Sequence, residues 1–230
     1  MLSVKYEFQD SLYSGKERDM RLTIFGASGG TGRHLVEQAL AAGYQVTAVV
    51  RDPARLAVPA HPGLQVVTAD IMDPESILPA VTGADAVLTA AGPRGAGPTT
   101  VITDSVRSIA AAMGKAGTRR LIALSGSIVA DDGEGFFLRY ALKPLARRTF
   151  LRYVCADMRH AEAVITATDL NWTIMRPPAL TDGPAKARYR TAVDRGLPRG
   201  VRVSRADLAA CMLSLIDDAR AVRRHVAVAY

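Results

Sequence analysis

Residues 22–36 read Leu-Thr-Ile-Phe-Gly-Ala-Ser-Gly-Gly-Thr-Gly-Arg-His-Leu-Val, and the reading of this stretch decides the fold. Leu22 to Phe25 is a short buried strand, Gly26 to Gly32 a glycine-rich turn, and Arg33 opens a helix. Glycines fall at 26, 29 and 32, a G-x-x-G-x-x-G spacing, with Gly30 as an extra. Glycine suits such a turn because the backbone must take angles closed to other residues and no side chain then blocks a phosphate. The turn's N–H groups and the helix N-terminus present partial positive charge to a pyrophosphate. A strand before the glycines and a helix after them supply the context this motif requires.

Outward from the turn, Leu35, Val36, Ala39 and Leu40 have the spacing of a helix packing one face, with Gly43 as its C-terminal stop. Tyr44 to Val50 is a nearly continuous apolar, β-branched run, the mark of a strand covered on both faces. Strands follow at Leu64–Thr68, Ala86–Ala90, Arg120–Leu124, Trp172–Met175 and Val226–Tyr230. Between them lie helices at Asp73–Val81, from Thr99 or Thr100 to Met113, at Cys155–Thr168 and at Leu208–Ile216, the last launched by a Ser204-Arg205-Ala206-Asp207 capping box. The alternation predicts one α/β domain over residues 21–230, a doubly wound parallel sheet with helices on both faces. Residues 1–20 lack a period and are expected to form an arm outside it. A hairpin is expected within Thr181–Val203. Residues 131–203 form the expected substrate region, and within it Phe136 to Tyr153 is basic and aromatic, with Arg139, Lys143, Arg147, Arg148 and Arg152.

Length and composition bound the function. The chain's 230 residues suffice for one sizeable core. Apolar runs break within about a dozen residues, short of a membrane span, and no charged-then-apolar leader opens the chain, so a cytoplasmic location without membrane contact is expected. Cys155 and Cys211 follow no metal or redox spacing and read as small core residues. No metal set is present. The net charge of +7 and the pI of 9.7 come without a nucleic-acid-binding motif. They fit attraction for small anions.

In an open parallel sheet, ligands lie beyond the carboxyl ends of the strands. That rule selects Gly26, Ser28, Gly29, Gly30, Thr31 and Gly32, then Arg51, Asp70 and Ile71, Ala90, Ala91 and Gly92, Ser125, and Pro177 with Pro178. Where NAD-preferring sites carry an acidic residue about 20 positions past the glycines, this chain carries Arg51, whose guanidinium fork suits a 2′-phosphate. NADP(H) is therefore expected ahead of NAD(H), although Asp52 follows immediately and a shift of one register would reverse the preference. Asp70 serves either an adenine or its own turn.

A proton-donor set is harder to find. Ser125 and Ser127 follow the fifth strand, but no Tyr-x-x-x-Lys exists; Tyr140-Ala-Leu-Lys143 comes closest, at i,i+3 with Pro144 interrupting. Of the histidines His34, His61, His160 and His225, only His160 sits where it can approach the site, and it reads as a surface residue.

The glycine turn, Val50-Arg51-Asp52, Ala69-Asp70, Pro98-Thr99-Thr100 and Trp172-Thr-Ile-Met-Arg-Pro-Pro178 together resemble the atypical short-chain dehydrogenase/reductase group that binds NAD(P)H. Within it the chain most resembles the biliverdin-IX-beta reductase, or flavin reductase, family. The resemblance implies a Rossmann fold, Arg51 on the 2′-phosphate, and a shallow pocket over the nicotinamide for planar acceptors. It carries Ser125 over as the candidate catalytic serine, because that family has a Thr-Ser pair after its fifth strand. The expected activity is NADPH-dependent hydride transfer to a flavin-, biliverdin- or quinone-like acceptor, possessing anionic character if the basic segment lines the pocket. A non-catalytic NADP(H) sensor or scaffold and a sugar-nucleotide epimerase are the alternatives.

Overall fold

A computed structural model describes residues 20–95, 97–130 and 151–230. The arm at 1–19 and the segment 131–150, with Tyr140, Lys143, Arg147 and Arg148, lie outside the described residues. In chain order the elements are β1 (Arg21–Phe25), α1 (Gly30–Ala41), β2 (Gln45–Val50), β3 (Leu64–Thr68), α2 (Pro74–Val81), β4 (Ala86–Thr89), α3 (Val101–Ala116) and β5 (Arg120–Leu124). After the undescribed segment come α4 (Arg152–Thr166), β6 (Asn171–Arg176), β7 (Ala179–Thr181), β8 (Arg190–Val193), β9 (Arg202–Ser204), α5 (Arg205–Ser214) and β10 (Arg224–Ala229).

Eight strands form one sheet in the order β3-β2-β1-β4-β5-β6-β10-β8, parallel throughout except for β8, which runs antiparallel to β10. Strand residues alternate between two buried layers, as period-two side chains must. Leu22, Ile24, Val46, Ala48, Ala86 and Leu88 join Leu35, Val36 and Leu40 of α1 and Leu208, Met212 and Leu213 of α5. Phe25, Val49, Val87, Leu121 and Ala123 face α2, α3 and α4 through Ile77, Ile109, Met113 and Ile165. Each of the larger side chains among them, Leu, Ile, Val, Phe or Met, contributes about 1.5–3 kcal/mol on leaving water. The chain is thus a doubly wound α/β domain with helices on both faces.

Strand order reverses between β1 and β4, and the chain makes that junction tight. Gly26 has φ +74, and a Cβ there would lie 2.7 Å from the Ala90 carbonyl carbon and the Ala91 nitrogen. Only glycine lets the turns after β1 and β4 touch.

Three expectations change. The first helix opens at Gly30, with Gly29 as its N-cap, so the glycine motif itself forms the first helical turn. α3 starts where expected, with Thr100 as its N-cap and the Thr99 hydroxyl accepting from the Val101 nitrogen at 3.2 Å, but its next two nitrogens are capped from a distance: buried Asp157 of α4 accepts from Ile102 and Thr103 at 3.0 and 2.9 Å. The expected hairpin at 181–203 is absent. β8 instead covers the open edge of β10, satisfying backbone groups that an edge strand leaves unpaired, while β7 and β9 pair parallel in a separate two-stranded sheet.

Candidate functional site

The glycine turn is built to present backbone donors. The Gly29 nitrogen donates to the Gly26 carbonyl at 2.9 Å, closing the turn. A Cβ at Gly32 would lie 2.0 Å from the same oxygen, so helix and turn pack as closely as two glycines allow. Gly29 offers no side-chain cap, and the first turn of α1 holds no acidic residue. Its N–H groups thus keep their partial positive charge for a ligand. Gly29 and Gly30 are exposed, Ser28 half-buried, and Thr31 and Gly32 buried. Thr31 and Gly32 thus hold the turn from below while Ser28 to Gly30 face the cleft.

Arg51 emerges exposed from the end of β2. Its neighbour Asp52 turns its carboxylate onto the Ala54 nitrogen at 3.1 Å and caps the short turn Pro53–Arg55. Arg94, in the loop after β4, completes a basic cluster that sequence reasoning missed. Its guanidinium is held below the ordinary arginine range by lost hydration and by the positive charges of Arg55 and Arg51, with Asp52 opposing. Three like charges gathered at strand ends favour a polyanion between them.

Asp70 turns its carboxylate back onto the Met72 nitrogen at 3.0 Å, closing the turn that leads to α2, with Ile71 half-buried beside it. Past β4, Ala90 and Ala91 are half-buried, and nothing lies within 4 Å of where a Cβ of Gly92 would stand. The backbone there is open to a ligand.

At the far end of the cleft Ser125 is buried, and its hydroxyl donates to Glu162 Oε1 at 2.6 Å. The same carboxylate takes a two-point grip from Arg176, Nε at 3.1 Å and Nη2 at 2.6 Å. His225 Nε2 stands 3.7 Å from Glu162 Oε2, its ring edge-on to Trp172. Pro177 is buried and its carbonyl accepts from the Ser127 nitrogen at 2.8 Å, tying the segments after β5 and β6 together. Beside this group a groove is lined by Ser127, Arg176, Pro178, Arg195, Leu197 and His225, among others. His160, by contrast, is exposed on α4. Among the described residues no group of three or more metal-ligating side chains converges, and no helix is long and apolar enough to cross a membrane.

Glu162, Arg176 and His225 come from α4, β6 and β10, and nothing in their sequence spacing announced the meeting. Arg176 stood inside a quoted motif, flanking the prolines, which was the one available signal.

An uncapped helix N-terminus, open glycines and an arginine cluster at a strand-order reversal define a protein that binds an extended, multiply phosphorylated nucleotide. Residues 26–219 match the family described as NAD(P)H-binding, and the chain belongs to that family. It is 30% identical over 206 residues to the uncharacterized sugar epimerase YhfK of Bacillus subtilis, across 86% of this chain and 89% of that one. An uncharacterized chloroplastic protein of Arabidopsis thaliana is 31% identical over 172 residues, 71% of this chain; the chain spans 60% of that relative's length. In fold it is similar to a short-chain dehydrogenase/reductase of Veillonella parvula solved in complex with NADP, with a TM-score of 0.75 at 20% identity over 92% of this chain and 94% of that one.

Proposed function

We propose that the chain is an NADPH-dependent oxidoreductase passing hydride to a planar or carbonyl-bearing acceptor of the flavin, tetrapyrrole or quinone type, as in the flavin/biliverdin reductases it resembles. One observation carries this reading: Ser125, the candidate catalytic serine, donates its hydroxyl hydrogen bond to Glu162 at 2.6 Å rather than to the cleft. Chemistry that needs a strong protein acid is poorly served by that arrangement. Conjugated acceptors, which spread the incoming charge over their own rings, need no such acid.

When bound, the cofactor supplies the hydride; the chain's residues hold and orient. Arg51, Arg55 and Arg94 favour the 2′-phosphate form. Ala90 to Gly92 let the backbone approach, and Ser125 and Pro177 floor the nicotinamide end. Arg195 gives the neighbouring groove a positive charge suited to an anionic acceptor such as flavin mononucleotide, while the charge of Arg176 is met by Glu162. We place this activity in the cytoplasm, without nucleic-acid or membrane partners.

The name of the Bacillus subtilis relative favours a second reading, a sugar epimerase. Such an enzyme borrows and returns its hydride, so it consumes no cofactor. Incubation with NADPH and a panel of flavins, quinones and a tetrapyrrole tests the proposal. Continuous NADPH oxidation, faster than with NADH, is expected. Interconversion of a nucleotide sugar without net oxidation would favour the epimerase, and tight NADPH binding with no turnover would favour a sensor or scaffold.

A further inference from the structure

We infer that Arg205 is a pyrophosphate-clamping residue, delivered to the glycine turn from α5, and that the missing side chain of Gly30 is what admits it. A Cβ at Gly30 would lie 2.8 Å from Arg205 Cδ and 2.9 Å from its Nε. The arginine therefore occupies the space a side chain at the start of α1 would fill. Any other residue at 30 displaces it.

The fold fixes that placement in three ways. First, β7 and β9 run parallel with Thr181 opposite Ser204, so Asp182 and Arg205 occupy the next rung, and Nη1 of Arg205 pairs with Asp182 Oδ1. Second, the buried carboxylate of Asp207 accepts from the Lys186 and Ala187 nitrogens at 2.9 and 3.0 Å, and Ser204 Oγ accepts from the Asp207 nitrogen at 3.1 Å. The segment after Asp182 and the start of α5 thus share one anchor. Third, α5 packs against α1 across the sheet face, and Gln38 Nε2 of α1 donates to the Ala206 carbonyl at 2.9 Å. These contacts fix the backbone of Arg205 beside the turn, and the Asp182 pair steers its side chain.

The ion pair with Asp182 reads as a parking contact. The Asp182 side chain is 87% exposed, against 27% for Arg205, and a carboxylate so open to water stabilises the fold little. It does hold the guanidinium plane in one orientation. An arginine carries five donors in a rigid fork, so one spent on Asp182 leaves others for oxyanions at the N-terminus of α1, where partial positive charge already gathers. The ligand chemistry is the pyrophosphate common to NADH and NADPH, whereas the Arg51 cluster answers to the 2′-phosphate alone. The inference rests on the dinucleotide lying in the glycine cradle.

The two roles separate by ligand. Native protein and the Arg205→Ala, Arg205→Lys and Arg51→Ala variants are titrated by calorimetry with NADPH, NADH and 2′-AMP, which has the 2′-phosphate but no 5′-phosphate for the clamp to hold. Arg205→Ala should lose about tenfold or more in affinity for both dinucleotides and far less for 2′-AMP, with Arg205→Lys intermediate. Arg51→Ala should lose NADPH and 2′-AMP but keep NADH. Unchanged dinucleotide binding by Arg205→Ala would overturn the clamp, as would a loss confined to NADPH or an equal loss for all three ligands. If Arg205→Ala does not fold, Arg205→Lys decides by the same pattern. Native protein that binds neither dinucleotide would instead sink the cradle reading itself.

Discussion

We propose that Arg51 carries the choice between the two nicotinamide dinucleotides, since Asp52, which would reverse it, spends its carboxylate on its own turn. Arg51→Ala should therefore weaken NADPH binding by about 1.5–3 kcal/mol, ten- to a hundredfold, the worth of a hydrogen bond to a charged group. NADH binding should stay unchanged; equilibrium titration with both checks it. Ser125 is the complementary case. A general acid contributes about a hundredfold or more, whereas a serine held on Glu162 only shapes the floor, so Ser125→Ala should lower kcat by less than about tenfold. Steady-state kinetics with a flavin acceptor would show it. Arg51 and the glycines were readable in sequence because their role depends on position relative to one strand. Arg94, Glu162 and Arg205 were not, because each acts on a group brought near by the sheet; Glu162 and Ser125 are 37 positions apart.

The elements show the same division between local and distant causes. The near-continuous apolar run with Leu22, Ile24 and Phe25 marks β1 whatever surrounds it. By contrast, β8 lies along the edge of β10, and the first nitrogens of α3 past Val101 find their partner in Asp157, which reaches across from α4. Asp157 also accepts from the Thr103 hydroxyl at 2.6 Å, so its loss leaves buried donors unpaired. Asp157→Ala should cost about 2–3 kcal/mol of stability, seen as a lower urea midpoint with an unchanged slope. The helix start at Gly30 was misread because Gly29 and Gly30 look like turn residues, although a helix beginning inside the glycines is what brings its N–H groups to the ligand.

Across the whole molecule, buried titratable groups set how stability follows pH. Burial, then the charge of Asp207, pushes the Cys211 thiol from 9.0 up to about 12, and Tyr189 beside it is also raised, mainly by burial. Both stay protonated in the folded chain where the unfolded chain ionises. Their contribution is thus complete below pH 9 and is lost as pH rises toward 12. Arg120 shifts oppositely: burial lowers it to about 10 while its guanidinium holds the Leu215 and Ile216 carbonyls that end α5. Unfolding free energy should therefore fall from pH 9 to pH 11, and Cys211→Val should flatten that fall; urea titrations across this range test it.

The same whole-molecule view sets the central claim, hydride passed directly to a conjugated acceptor with little proton transfer by the protein. Its most direct test is turnover of NADPH deuterated at the transferred position, with flavin mononucleotide or a quinone, in light and heavy water. Deuterium on the cofactor should slow turnover severalfold while heavy water leaves it nearly unchanged. A large heavy-water effect that disappears in Ser125→Ala, or no turnover with any acceptor, would contradict it.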